Sequence, residues 1–77
     1  MVATSVKTVR TTPEGKTEVQ AFIVSDTTPS PLPTTGEGIV GMNANMIFAP
    51  FSIIYVIDNV APKMYITNEA GVFIAQT

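Results

Sequence analysis

Cysteine and histidine are both missing from this 77-residue chain, and each gap closes off a class of protein. Without cysteine there is no disulfide to staple a small fold. Without histidine most zinc and haem ligand sets disappear, and with them the usual base of a hydrolytic triad. Ser5, Ser25, Ser30 and Ser52 have no basic neighbour in sequence to activate them, and Lys63 is expected on a solvent-facing strand edge. Positive charge is scarce as well. Lys7, Arg10, Lys16 and Lys63 lie scattered against six carboxylates, for a net charge of -2, whereas a nucleic-acid interface gathers basic side chains against phosphates. The carboxylates do not cluster in one loop, as an oxygen-ligated metal requires, and Glu14 and Glu69 stand in turn signals. No apolar run is long enough to cross a bilayer as a helix: the stretch 46–57 is short and Pro50 interrupts it. The opening Met1-Val2-Ala3-Thr4-Ser5 lacks the basic segment and apolar run of a secretion signal. The expectation is a protein made in a cytoplasm that is not an enzyme. It has no catalytic residue, cofactor or metal, and neither a nucleic acid nor a membrane as partner.

What is present is apolar. Hydrophobic residues make up 45% of the chain, enough for a folded core. That core is small at this length, and small domains usually need a staple. With disulfides and the common metal sites excluded, self-association or docking is the remaining source of extra stability.

The pattern is that of a single all-β domain over residues 1–77: a small antiparallel sheet, or a compact barrel or sandwich, built from hairpins. Residues 7–12 are rich in Thr and Val, whose branching at Cβ suits a pleated surface. Thr12-Pro13-Glu14-Gly15-Lys16 reads as a turn. In residues 17–24, Val19, Ala21 and Ile23 share one face, and Glu18, Gln20, Phe22 and Val24 share the other. The segment 25–38 carries Pro29, Pro31, Pro33, Gly36 and Gly38 and reads as an extended loop or arm, long enough to wrap a surface or reach a neighbour. Residues 39–49 are ambiguous: Met42, Ala44, Met46 and Ala49 suit a turn of helix that Asn43 and Asn45 weaken. The uncharged run 51–57 reads as a buried strand, followed by strands at 63–67 and 72–76 around an Asn68-Glu69-Ala70-Gly71 turn. Asp58 and Asn59 are expected to cap a turn. The outline is about five strands.

Two motifs invite stronger readings. Leu32-Pro33-Thr34-Thr35-Gly36 matches the recognition pentapeptide of cell-wall sorting signals, but neither a membrane helix nor a basic tail follows it. The plainer reading is a rigid, exposed turn. Gly36, Gly38 and Gly41 have the spacing of a phosphate loop without the Lys-Ser/Thr pair or the helix that such a loop opens. The aromatics Phe22, Phe48, Phe51, Tyr55, Tyr65 and Phe73 are not interleaved with basic residues, so they are expected mainly in the core, with Tyr55 or Tyr65 available to an interface.

Several segments resemble small virion proteins of tailed phages and prophages, the short head-fibre and capsid-decorating proteins. The resembling residues start at Lys7-Thr8-Val9-Arg10 and Glu18-Val19-Gln20-Ala21-Phe22, and continue through Leu32-Pro33-Thr34-Thr35-Gly36-Glu37-Gly38. The best-matched part is Phe48-Ala49-Pro50-Phe51-Ser52-Ile53-Ile54-Tyr55-Val56-Ile57-Asp58, followed by Lys63-Met64-Tyr65-Ile66-Thr67-Asn68-Glu69-Ala70-Gly71-Val72-Phe73. Phe51 stands where such proteins often have Gly, a departure that implies an altered local bend. The resemblance implies a structural protein on a virion's capsid surface, bound to the major capsid protein and to its own copies. It brings no catalytic residues, and the short chain suits decoration or anchoring better than a long adsorption fibre. A homo-oligomer is expected, a trimer among the arrangements, with contact residues Leu32 and Pro33 in the arm and Phe51 and Tyr55 near the strand. The alternative is a module binding carbohydrate or a host surface, for which Asp58, Asn59 and Tyr65 would be the polar and aromatic residues.

Overall fold

The structure, a computed structural model, describes residues 1–58 and 60–76. Its strands are β1 (Val2–Thr11), β2 (Thr17–Ser25), β3 (Met46–Phe48), β4 (Ile53–Val56), β5 (Lys63–Thr67) and β6 (Phe73–Gln76). They form one sheet in the order β1-β2-β4-β5-β6, with β3 also paired to β2. The sheet is mainly antiparallel and open, and no helix occurs among the described residues. The all-β expectation holds. Of the architectures it allowed, the single sheet is the one formed, and the N-terminal hairpin and C-terminal meander belong to it together.

The first hairpin closes as its turn residues require. Gly15 has φ +86° and donates its N–H to the Thr12 carbonyl at 2.9 Å. β1 begins at Val2, well before residue 7, because it pairs with β2 from Val2↔Val24 to Thr11↔Thr17. Two register shifts, at Thr4 and Val9, put an extra residue in β1 each time, the form of a β-bulge.

The feature missing from the sequence reading is parallel pairing. β2 runs parallel to both β3 and β4. Parallel neighbours need a crossover, usually a helix. Here residues 26–45 make that connection without a helix, which Pro29, Pro31 and Pro33 disfavour. The segment therefore folds back over the inner face of its own sheet: Ile39 is buried in the core, and Leu32 and Met42 pack against it. It is tied down on both sides. The Ala3 N–H donates to the Val40 carbonyl at 2.8 Å, and the Gly36 N–H donates to the Met46 carbonyl at 2.9 Å. A Cβ on Gly36 would stand 2.6 Å from the Asn43 carbonyl oxygen, so the chain passes there only because that residue has no side chain. The turn of helix considered for 39–49 is replaced by turns and by β3. The Asn43 side chain accepts the Asn45 N–H at 2.9 Å, a local bond that competes with helix.

The alternation expected in β2 is observed. Val19, Ala21 and Ile23 are buried, joined on the inner face by Phe48, Ile54, Val56, Tyr65 and Phe73. Phe48 and Phe73 meet edge-on with ring centroids 4.8 Å apart. Each fully buried side chain such as Ile23 or Ile54 contributes about 2 kcal/mol relative to exposure.

Candidate interaction surface

β3 and β4 are one strand interrupted. On β2, Gln20 and Ala21 separate the partners Val19 and Phe22, whereas on the other side Ala49, Pro50, Phe51 and Ser52 separate Phe48 and Ile53. The four residues form a β-turn, closed by the Ser52 N–H on the Ala49 carbonyl at 3.3 Å. Pro occupies the second position and a positive φ the third, the pattern of a type II turn. That third position favours glycine, yet it holds Phe51 at φ +68°, at a cost of about 1–2 kcal/mol in backbone strain. The expected strand from residue 51 therefore starts only at Ile53, and Phe51 lies outside the core, 74% exposed.

The gap left in the ladder is filled by side chains. The Ser52 hydroxyl accepts the Ala21 N–H at 3.3 Å and lies 2.9 Å from the Ala49 carbonyl and 3.1 Å from the Val19 carbonyl. The Thr67 hydroxyl accepts the Ser52 N–H at 2.9 Å and donates to the Ala49 carbonyl at 2.7 Å. Both side chains are buried, and each hydroxyl is engaged with the main chain. Ser52 thus replaces a backbone group in the sheet.

Outside this buried seam lies the outer face of the sheet. Gln20 projects there and donates from Nε2 to the Pro50 carbonyl at 3.0 Å, which puts the tip of the turn on that side. Two rows cross the face. One is Val2, Val24, Tyr55, Met64 and Gln76, and the other is Ser5, Phe22, Ile53, Ile66 and Ile74. None of these ten positions is charged. Phe22 and Tyr55 are neighbours with ring centroids 6.4 Å apart. The charges of this face sit toward the first hairpin, at Lys7 and in the Arg10–Glu18 pair, whose Nε and Oε2 are 3.0 Å apart.

The four expected contact residues are divided by the fold. Tyr55 and Phe51 belong to the outer side. Leu32 and Pro33 are half-buried in the crossover, and Leu32 packs against the inner core. Phe22, Ile53, Met64, Ile66 and Ile74 complete the apolar face; the alternation in β2 and in 63–67 was the signal that could have found them. Tyr65 is buried in the core, which removes the aromatic from the carbohydrate-binding alternative. Asp58 accepts the Val60 N–H at 2.8 Å, the capping role expected of it, and Asn59 lies outside the described residues. In the sorting-like pentapeptide, Thr35 bridges to Ile47 and Gly36 is buried, so its Thr–Gly bond is built into the fold and is not the exposed turn expected. Among the described residues there is no pocket and no group of His, Cys, Asp and Glu arranged to hold a metal. Among the same residues no helix is long and apolar enough to cross a membrane. Comparison with known families, with curated proteins and with solved structures gives no match.

Proposed function

We propose that the protein is a structural component of a virion that decorates a capsid or sits at the base of a head fibre, binding the capsid and its own copies without catalysis. One observation carries this reading: the outer face of the sheet is apolar and free of charge across β4, β5, β6 and the end of β2 from Phe22, while the inner face is already covered by the crossover. Sheets are stable as packed layers, and here the second layer on one side is left to another molecule. The best-matched segments of the virion resemblance, residues 48–58 and 63–73, supply β4 and β5, and with them Ile53, Tyr55, Met64 and Ile66 at the centre of that face. The partner it suits is an uncharged protein surface, since the two rows offer no basic side chain to a phosphate backbone.

Light scattering of the protein alone and with purified tailed-phage capsids tests the proposal. A discrete homo-oligomer that saturates capsids at a fixed ratio is the expected result. A monomer at every concentration that adds no mass to capsids overturns it.

A further inference from the structure

We propose that two copies pack face to face through the outer face of the sheet, with Phe51 as an anchoring side chain at that interface. The inference rests on the assembly reading above and adds to it a surface and a symmetry.

Charge selects the occupant. A molecule covering Val24, Tyr55, Met64, Phe22, Ile53, Ile66 and Ile74 buries no charged partner on this side, so it must bring an uncharged surface of its own. A second copy of the same face meets that condition without further specification. Packing one sheet on another is the ordinary way to finish a single layer, with the facing side chains interdigitating. A two-fold axis running across the strands at the level of the two rows sets the hairpin ends apart. Lys7 and the Arg10–Glu18 pair of each copy then lie at opposite ends of the stack.

The size is adequate. Phe22, Tyr55, Met64, Ile74 and Val2 are 38 to 47% exposed and Phe51 is 74% exposed. With the half-buried residues between them they offer roughly 700 Å² per copy, close to the ~800 Å² per partner of a standard stable interface.

Phe51 is the second, independent observation. Its backbone position suits glycine, and its ring is left largely in solvent. Within one chain the ring therefore contributes little for the strain it imposes. At an interface the same exposed aromatic becomes the kind of anchor that carries binding energy.

Sedimentation velocity of the full chain over about a hundredfold range of concentration, with capsid binding measured on the same samples, tests the proposal. The expected result is a monomer–dimer equilibrium that Tyr55→Lys and Met64→Lys abolish while circular dichroism stays unchanged. Phe51→Gly raises the dimer dissociation constant about tenfold or more and leaves the thermal midpoint of the dilute protein the same or higher. If Phe51→Gly lowers that midpoint and leaves association unchanged, the ring is an internal packing residue and the anchor is refuted. A trimer, or an oligomer indifferent to Tyr55→Lys, overturns face-to-face pairing and leaves the assembly reading standing. A monomer that still binds capsids overturns self-stacking alone. A monomer that ignores capsids removes both readings.

Discussion

Replacing Ser52 with alanine deletes a single oxygen from the middle of the sheet. That oxygen accepts the Ala21 N–H and stands within reach of the Val19 and Ala49 carbonyls. The side chain is fully buried, so water has no route to take its place. Both carbonyls keep other donors, the Ala49 N–H at 2.7 Å and the Thr67 hydroxyl at 2.7 Å. The Ala21 N–H loses the acceptor that the seam provides. An unsatisfied buried donor costs about 1–3 kcal/mol and the lost hydroxyl bond about 1 more, so Ser52→Ala is expected to cost roughly 2–4 kcal/mol. At this chain length that lowers the thermal midpoint by about 10–30 °C. Urea unfolding followed by circular dichroism, at a concentration low enough to exclude association, measures it. The midpoint should fall with an unchanged slope. Ser5→Ala, on the exposed first strand, is the control and should stay within about 0.5 kcal/mol. A loss at Ser52 of less than that refutes the bridging role of its hydroxyl.

Three other outcomes follow from the same packing. Gly71→Ala places a methyl 2.8 Å from the Phe48 carbonyl oxygen at φ +77°, and should cost about 2 kcal/mol or more in the same urea assay. Ile39→Ala removes the crossover's deepest side chain from the inner core and should cost about 2–4 kcal/mol, with amide exchange rising at Gly36 and Met42. A transpeptidase that cuts between Thr and Gly should leave the folded chain intact while cleaving a synthetic peptide of residues 30–40, as mass spectrometry will show; cleavage of the folded chain contradicts the bonding of Gly36 to Met46.

Local signals made the strands legible and long-range ones did not. The alternation in 17–24 revealed which side of β2 is buried, because side-chain direction depends only on residue parity. Turn chemistry at Gly15 and Gly71 revealed two hairpins for the same reason. Which strand lies beside β2 depends on residues more than twenty positions away, and nothing in 46–56 marks it as parallel. The proline segment was legible as non-helical, yet its place over the core depends on Ile39, an apolar residue whose neighbours give no periodicity. The resemblance to virion proteins marks Phe51 as standing in a glycine's place. Its exposure became visible only with the turn, because an apolar residue beside an apolar run otherwise reads as part of it.

The crossover between β2 and β3 also orders events in time. As the chain leaves the ribosome, β1 and β2 can close their hairpin at once, since a five-residue turn joins them. The other edge of β2 then waits for residues 46–56, more than twenty positions later. Until they arrive, Val19, Ala21 and Ile23 lack their cover and the strand offers open hydrogen-bonding groups to any neighbouring nascent chain. The entropy of closing that loop is spent before its contacts form, so this long-range docking is slow relative to closure of the first hairpin. Conditions that crowd many copies together during synthesis bear hardest on this interval, before the sheet has its middle strand.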